Sequence, residues 1–237
     1  MGLGWKPRTG RRGLTAVALL AGALSLQSAH ATVLAPGDFA APIDQINELD
    51  FADRVEATRD FVINVGGNPF LSGHILDRVV TLQDGTLVFE TRIFVDSAPS
   101  NVGLNVGARS SFAGFATDVS FVSDAPGTFI PNAGAIRSPI TGSDVQFNFG
   151  GTDLIGDTSS LPPQLQGTHT LVIATDATRF DLVGLFRAKI GTGANALLSD
   201  PIPVWAPVAV PEPATWAMVV AGLGLFSLMT RRRSRQS

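Results

Sequence analysis

Apolar and polar residues alternate strictly in several runs along the middle of this chain, and that alternation confines it to β-structure. "LVFETRIFV" (87–95) places Leu87, Phe89, Thr91, Ile93 and Val95 on one face and Val88, Glu90, Arg92 and Phe94 on the other. "DVQFNFG" (144–150) alternates Val145, Phe147 and Phe149 with Asp144, Gln146 and Asn148. Successive side chains of a strand point to opposite faces, so such runs describe half-buried strands. "FVINV" (61–65), "DVSFV" (118–122), "TLVIAT" (170–175) and "DLVGLFRAKI" (181–190) add more of them. Asp84-Gly85, between "ILDRVVTL" and "LVFETRIFV", reads as a tight hairpin turn. Clusters of Gly, Pro, Asn and Asp punctuate the strands. This pattern predicts an all-β fold, an antiparallel β-sandwich of jelly-roll or Ig-like type, rather than a sheet alternating with helices. Residues 43–57 are the one helical candidate, with Ile43, Ile46 and Leu49 at roughly helical spacing. They read equally well as a loop into the first strand.

The two ends differ from the middle. Lys6, Arg8, Arg11 and Arg12 precede an uncharged, mostly apolar run over 14–26, and Ala29-His30-Ala31 has the small-x-small form of a signal-peptidase site. This is the three-part layout of a secretory signal peptide, 1–31, cut after Ala31 through recognition of Ala29 and Ala31. Arg11-Arg12 also opens a twin-arginine signal, but Gly13-Leu14 continues it poorly, which favours the general secretory route. At the other end Pro211-Glu212-Pro213 breaks any helix. Residues 214–230 are then free of charge, roughly 25 Å long as a helix at about 1.5 Å per residue. That is the short end of what spans a bilayer. Arg231, Arg232, Arg233 and Arg235 follow and would stay on the cytoplasmic side, as would the basic N-terminus. The middle of the chain is therefore expected outside.

Val210-Pro211-Glu212-Pro213, the apolar run with Gly222 and Gly224, and the arginine cluster come in an order that resembles the PEP-CTERM sorting signal of Gram-negative bacteria. The resemblance covers about the last 28 residues. It implies recognition by an exosortase, a membrane protease-transpeptidase, with a cut near the Pro-Glu-Pro step. A transient inner-membrane intermediate would then give way to a location on the cell surface or in the extracellular matrix. It also implies an association with exopolysaccharide and biofilm. The domain plan is a signal peptide (1–31), an exported β-sandwich (32–197), a Pro-rich spacer (198–210) and the sorting signal (211–237). Prolines at 201, 203, 207, 211 and 213 suggest that the spacer is extended and holds the cleavage site clear of the folded domain.

Residues 32–210 keep nine basic and nineteen acidic residues, a formal charge of −10 that the whole-chain value of −3 hides. Such a domain is a poor partner for nucleic acid or anionic lipid. The chain has no cysteine, so the exported part has no disulfides and no thiol chemistry. Tyrosine is absent and Trp205, in the spacer, is the sole tryptophan of residues 32–210, which weakens a lectin of the ring-stacking type. His74 ("SGHIL") and His169 ("QGTHTL") read as surface or edge histidines. No Gly-x-Ser-x-Gly elbow, His-Glu-x-x-His zinc motif or phosphate-binding loop occurs. Gly191-Thr192-Gly193-Ala194-Asn195-Ala196 fits a dinucleotide fingerprint only by chance, since no helix or βαβ unit follows it.

Carboxylates remain as a resource. Asp153 and Asp157 flank "LIG" in a polar loop and are weak calcium candidates; Asp118, Asp124 and Asp144 lie near other turns. Turn-forming aspartate explains them as well. No catalytic residue and no required cofactor is assigned. The expectation is a non-catalytic exported surface or matrix protein, handled by signal peptidase, exosortase and, transiently, the membrane. A carbohydrate- or calcium-binding module is the alternative, and a secreted hydrolase ranks last.

Overall fold

The computed structural model describes residues 32–46, 51–99, 102–123, 134–149, 167–191 and 195–210. The proposed signal peptide with Ala29 and Ala31, the sorting signal and Asp153 and Asp157 lie outside these residues. Among the described residues there are fourteen strands and no α-helix. They are β1 (Thr32–Val33), β2 (Phe39–Ala40), β3 (Asp44–Ile46), β4 (Phe51–Val65), β5 (Asn68–Leu82), β6 (Leu87–Ser97) and β7 (Val106–Arg109). β8 (Thr117–Val122), β9 (Ala135–Arg137), β10 (Val145–Asn148), β11 (Thr170–Thr175), β12 (Phe180–Ile190), β13 (Leu197–Leu198) and β14 (Ile202–Pro207) follow.

Two sheets pack face to face as an all-β sandwich. The first has the order β1-β8-β11-β6-β5-β4, with β3 also on β8; the second has the order β13-β12-β7-β10-β9-β2, with β14 also on β12. Every pairing is antiparallel except β3 with β8. The alternating faces meet in the middle: Leu87, Phe89, Ile93 and Val95 of β6 are buried with Val145 and Phe147 of β10 and Phe186 of β12. Phe89 and Phe112 contact edge to face, with ring centroids 5.5 Å apart. The outer face of β6 is less polar than alternation alone suggests. Val88 is buried there with Ile46, Val80 and Val172, because β3 lies beside β8 and supplies Ile46 to that face.

The helical candidate at 43–57 resolves into strand where it is described. Asp44–Ile46 pairs with β8 in parallel and Phe51 onward pairs with β5. The spacing of Ile43, Ile46 and Leu49 offers only one short apolar stripe, while Phe51 onward has the full length of β5 to pair with.

The Asp84-Gly85 turn forms as the alternation requires. Gly85 takes φ +85°, a left-handed value that glycine adopts without a Cβ penalty. The Gly85 N–H donates to Leu82 O at 3.0 Å and the Leu82 N–H to Thr86 O at 2.9 Å, closing a three-residue hairpin loop. Asp84 Oδ1 accepts from the Thr86 hydroxyl at 2.6 Å and from its N–H at 2.9 Å. These bonds hold the Asp84 carboxyl below its usual range. A depressed carboxyl pKa contributes stability above the unfolded-state value, and that contribution is lost as pH falls through the folded-state value. Thr86→Ala should therefore move the Asp84 titration, followed by carboxyl-carbon NMR, upward toward the ordinary range. An unmoved titration would contradict this account of the turn.

The domain extends beyond residue 197. Ile202–Pro207, expected as a free spacer, is strand β14, paired along the first half of β12, with Val204 and Ala206 fully buried. The prolines permit this because β14 is an edge strand, where a residue without an N–H can face outward. Among the described residues the last backbone bond joins the Val208 N–H to Arg179 O at 3.0 Å. Only Ala209 and Val210 separate Val208 from Pro211, so Pro211 lies no more than about 11 Å from it along an extended chain.

Candidate functional site

Among the described residues the inner faces of the sheets carry charge that is paired or hydrogen-bonded, apart from Arg109 Nε, which is buried without a partner. Asp77 of β5 is fully buried between the sheets, facing Arg109 of β7, which is 2 % exposed. Arg109 Nη2 donates to Asp77 Oδ1 at 2.9 Å and to Trp205 O at 2.6 Å; Nη1 donates to Thr91 Oγ1 at 2.6 Å and Glu90 O at 3.1 Å. The other Asp77 oxygen accepts from Arg59 Nε and from the Trp205 N–H, both at 3.1 Å. Burial pushes the Arg109 guanidinium pKa down, and Asp77 opposes that shift. The network clamps β14 onto both sheets. Arg137 does similar work at one end, donating to the carbonyls of Leu34, Phe112, Phe115 and Gly142 at 2.8 to 3.0 Å. Charges fixed in this way are structural.

The histidines part company. His74 is half-buried on the outer face of the first sheet, stacked on Phe94 at 4.7 Å, with Nδ1 3.0 Å from Asp96 Oδ2. His169 is not a surface residue: it is 8 % exposed and its ring lies 5.5 Å from that of Phe121. Residues 167–169 bridge to β6, which draws His169 inside; Thr168 exchanges bonds with Ile93 at 2.9 and 3.0 Å. Asp118 sits on β8, where partial burial raises its carboxyl pKa. Among the described residues no group of three or more His, Asp or Glu is placed to hold a metal ion.

A trough of about 360 Å³ lies on the outer face of the second sheet. Its floor is β7, where Val106 and Ala108 present short side chains. β12 forms one wall with Leu185, Arg187 and Lys189; β10 and the residue before it form the other with Asp144 and Gln146. The register sets these in rungs: Arg187 opposes Ala108, which opposes Gln146, and Lys189 opposes Val106. Adjacent strands lie about 4.8 Å apart, so the walls stand roughly 10 Å from each other across the floor. Ser110 closes one end, its Oγ accepting the Leu185 N–H at 2.9 Å. Of the two singled-out acidic residues that are described, Asp118 and Asp144, Asp144 comes to this site. Arg187, Lys189, Gln146 and Ser110 were not singled out. Their alternation was visible, but the neighbour relation of β12, β7 and β10 was not.

A folded β-sandwich that runs within two residues into a Pro-Glu-Pro step, an apolar run and an arginine cluster defines an exported protein sorted through its C-terminus. The PEP-CTERM protein-sorting motif matches residues 209–233, so the chain carries that signal and is an exosortase-targeted exported protein. The match begins one residue after the last backbone bond of the domain. Neither the curated proteins nor the solved structures yielded a match. Among the described residues no helix is long and apolar enough to cross a membrane; residues 214–230 lie outside them.

Proposed function

We propose that the chain is a non-catalytic surface or extracellular-matrix protein, exported after signal-peptidase cleavage, cut by an exosortase near Pro211-Glu212-Pro213 and delivered to an exopolysaccharide layer. The observation that carries this reading is the sorting motif at 209–233, joined directly to the last strand of the β-sandwich. The interior charges serve packing, which suits a scaffold rather than a hydrolase. Intact mass of the protein from membrane and extracellular fractions tests it. The extracellular form should begin at Thr32 and end near Pro211, and Pro211→Ala with Pro213→Ala should trap the longer form in the membrane. Finding only a full-length species that retains its arginines would refute the sorting step.

The trough favours a second reading, a carbohydrate-binding module. It is open, spans three strands and is lined largely by hydrogen-bonding side chains. The calcium alternative rests on Asp153 and Asp157, outside the described residues.

A further inference from the structure

We propose that the trough on the outer face of the second sheet binds a polysaccharide whose sugars carry carboxylates, a polyuronate. The proposal rests on the carbohydrate-binding reading of that site and names its ligand class. Residues 32–210 carry a formal charge of −10, yet one wall of the trough presents two cations. Arg187 and Lys189 are two residues apart on the same face of β12, so their positions repeat at about 6.8 Å along the strand. Among the described residues neither has an ion pair or a side-chain hydrogen bond. A guanidinium and an ammonium held in this way suit carboxylates, with charge-assisted bonds about twice as strong as neutral ones.

The opposite wall selects among polyanions. Asp144 and Gln146 share the outward face of their strand, and Asp144 repels a ligand with a carboxylate on both sides. Its oxygens accept hydroxyl protons instead, and the Gln146 amide both donates and accepts. A chain with acidic groups on one edge and hydroxyls on the other fits both walls. Among the described residues no aromatic ring lines the trough, so polar walls take the place of ring stacking. Leu185 and Leu198, 42 % and 50 % exposed, flank the cationic wall and offer apolar contact to sugar C–H faces. An acidic peptide supplies the carboxylates but not the hydroxyl edge.

Affinity electrophoresis of the purified full chain in detergent tests this with three polymers: polygalacturonate, a neutral β-glucan and poly-L-glutamate. Polygalacturonate should retard the protein, less so at high salt, and the other two should not. Arg187→Gln with Lys189→Gln should weaken retardation about tenfold, the loss of one to two charge-assisted contacts. Gln146→Ala should weaken it without changing the salt dependence, which a purely electrostatic attraction would not show. Unchanged thermal melting confirms that these exposed positions leave the fold intact. No retardation by polygalacturonate, equal retardation by poly-L-glutamate, or an unaffected double variant would each overturn the proposal. The sorting reading is judged separately, by the mass of the extracellular form, so either can fail without the other.

Discussion

Asp77→Ala should destabilise the domain by about 3–5 kcal/mol, because it leaves Arg109 charged, buried and without its carboxylate. For a domain of this size that corresponds to a fall in melting temperature on the order of 10 °C. Arg59 Nε and the Trp205 N–H lose their acceptor together, and Arg109 Nη2 keeps only the Trp205 carbonyl. The Trp205 loss matters most for position, since that bond holds the last strand to β5 of the first sheet. Replacing both partners, Asp77→Ala with Arg109→Met, should recover much of the loss, because an apolar pair leaves no buried charge unmatched. Thermal unfolding followed by circular dichroism measures both. A single variant melting with the parent protein would mean that water reaches this pair. A double variant no better than the single would mean that Arg109 acts through its bonds to Thr91 and the Glu90 carbonyl.

Ending the chain after Asp200 should abolish cooperative unfolding, whereas ending it after Val210 should leave the melt unchanged. The first truncation removes β14 and with it Val204 and Ala206, both fully buried. Burial of one valine contributes about 1.5–3 kcal/mol, and Asp77 also loses a hydrogen-bond donor, at a further cost of about 1–3 kcal/mol. The β12 edge and the core beneath Phe180 and Phe186 are then open to water. Against the 5–15 kcal/mol typical of a whole domain, these losses are decisive. The second truncation leaves every described residue, with β14 and its bonds, in place. Equal melts from the two truncations would restore residues 198–210 to the role of a spacer.

That contrast shows where the sequence was legible. Period two identifies β6, β10, β11 and β12, and an Asp-Gly step places the β5–β6 turn, because these signals are local. Prolines at 201, 203 and 207 suggested a spacer through composition, which does not distinguish a free extended chain from an edge strand. Burial of Val204 and Ala206 depends on β12 lying beside them, and no spacing within 198–210 encodes that. The same limit hid the Asp77–Arg109 pair, whose members stand 32 residues apart. It hid the trough as well: Arg187, Lys189 and Gln146 were visible as outward positions, but β7 brings their strands together from far upstream. His169 illustrates the reverse error, since a polar, turn-like neighbourhood described a residue that folds inward onto Phe121.

The two-residue joint between Val208 and Pro211 has a mechanical consequence. A longer linker would let a tethered domain wander and turn any face toward its surroundings. With so little slack, whatever grips the tail keeps the Val208 end of the sandwich close to the point of attachment. The rungs of the trough, from Leu185 to Lys189, lead away from that end along the strand direction. A polymer seated along those rungs would run from the tail-proximal end of the sandwich toward its far end.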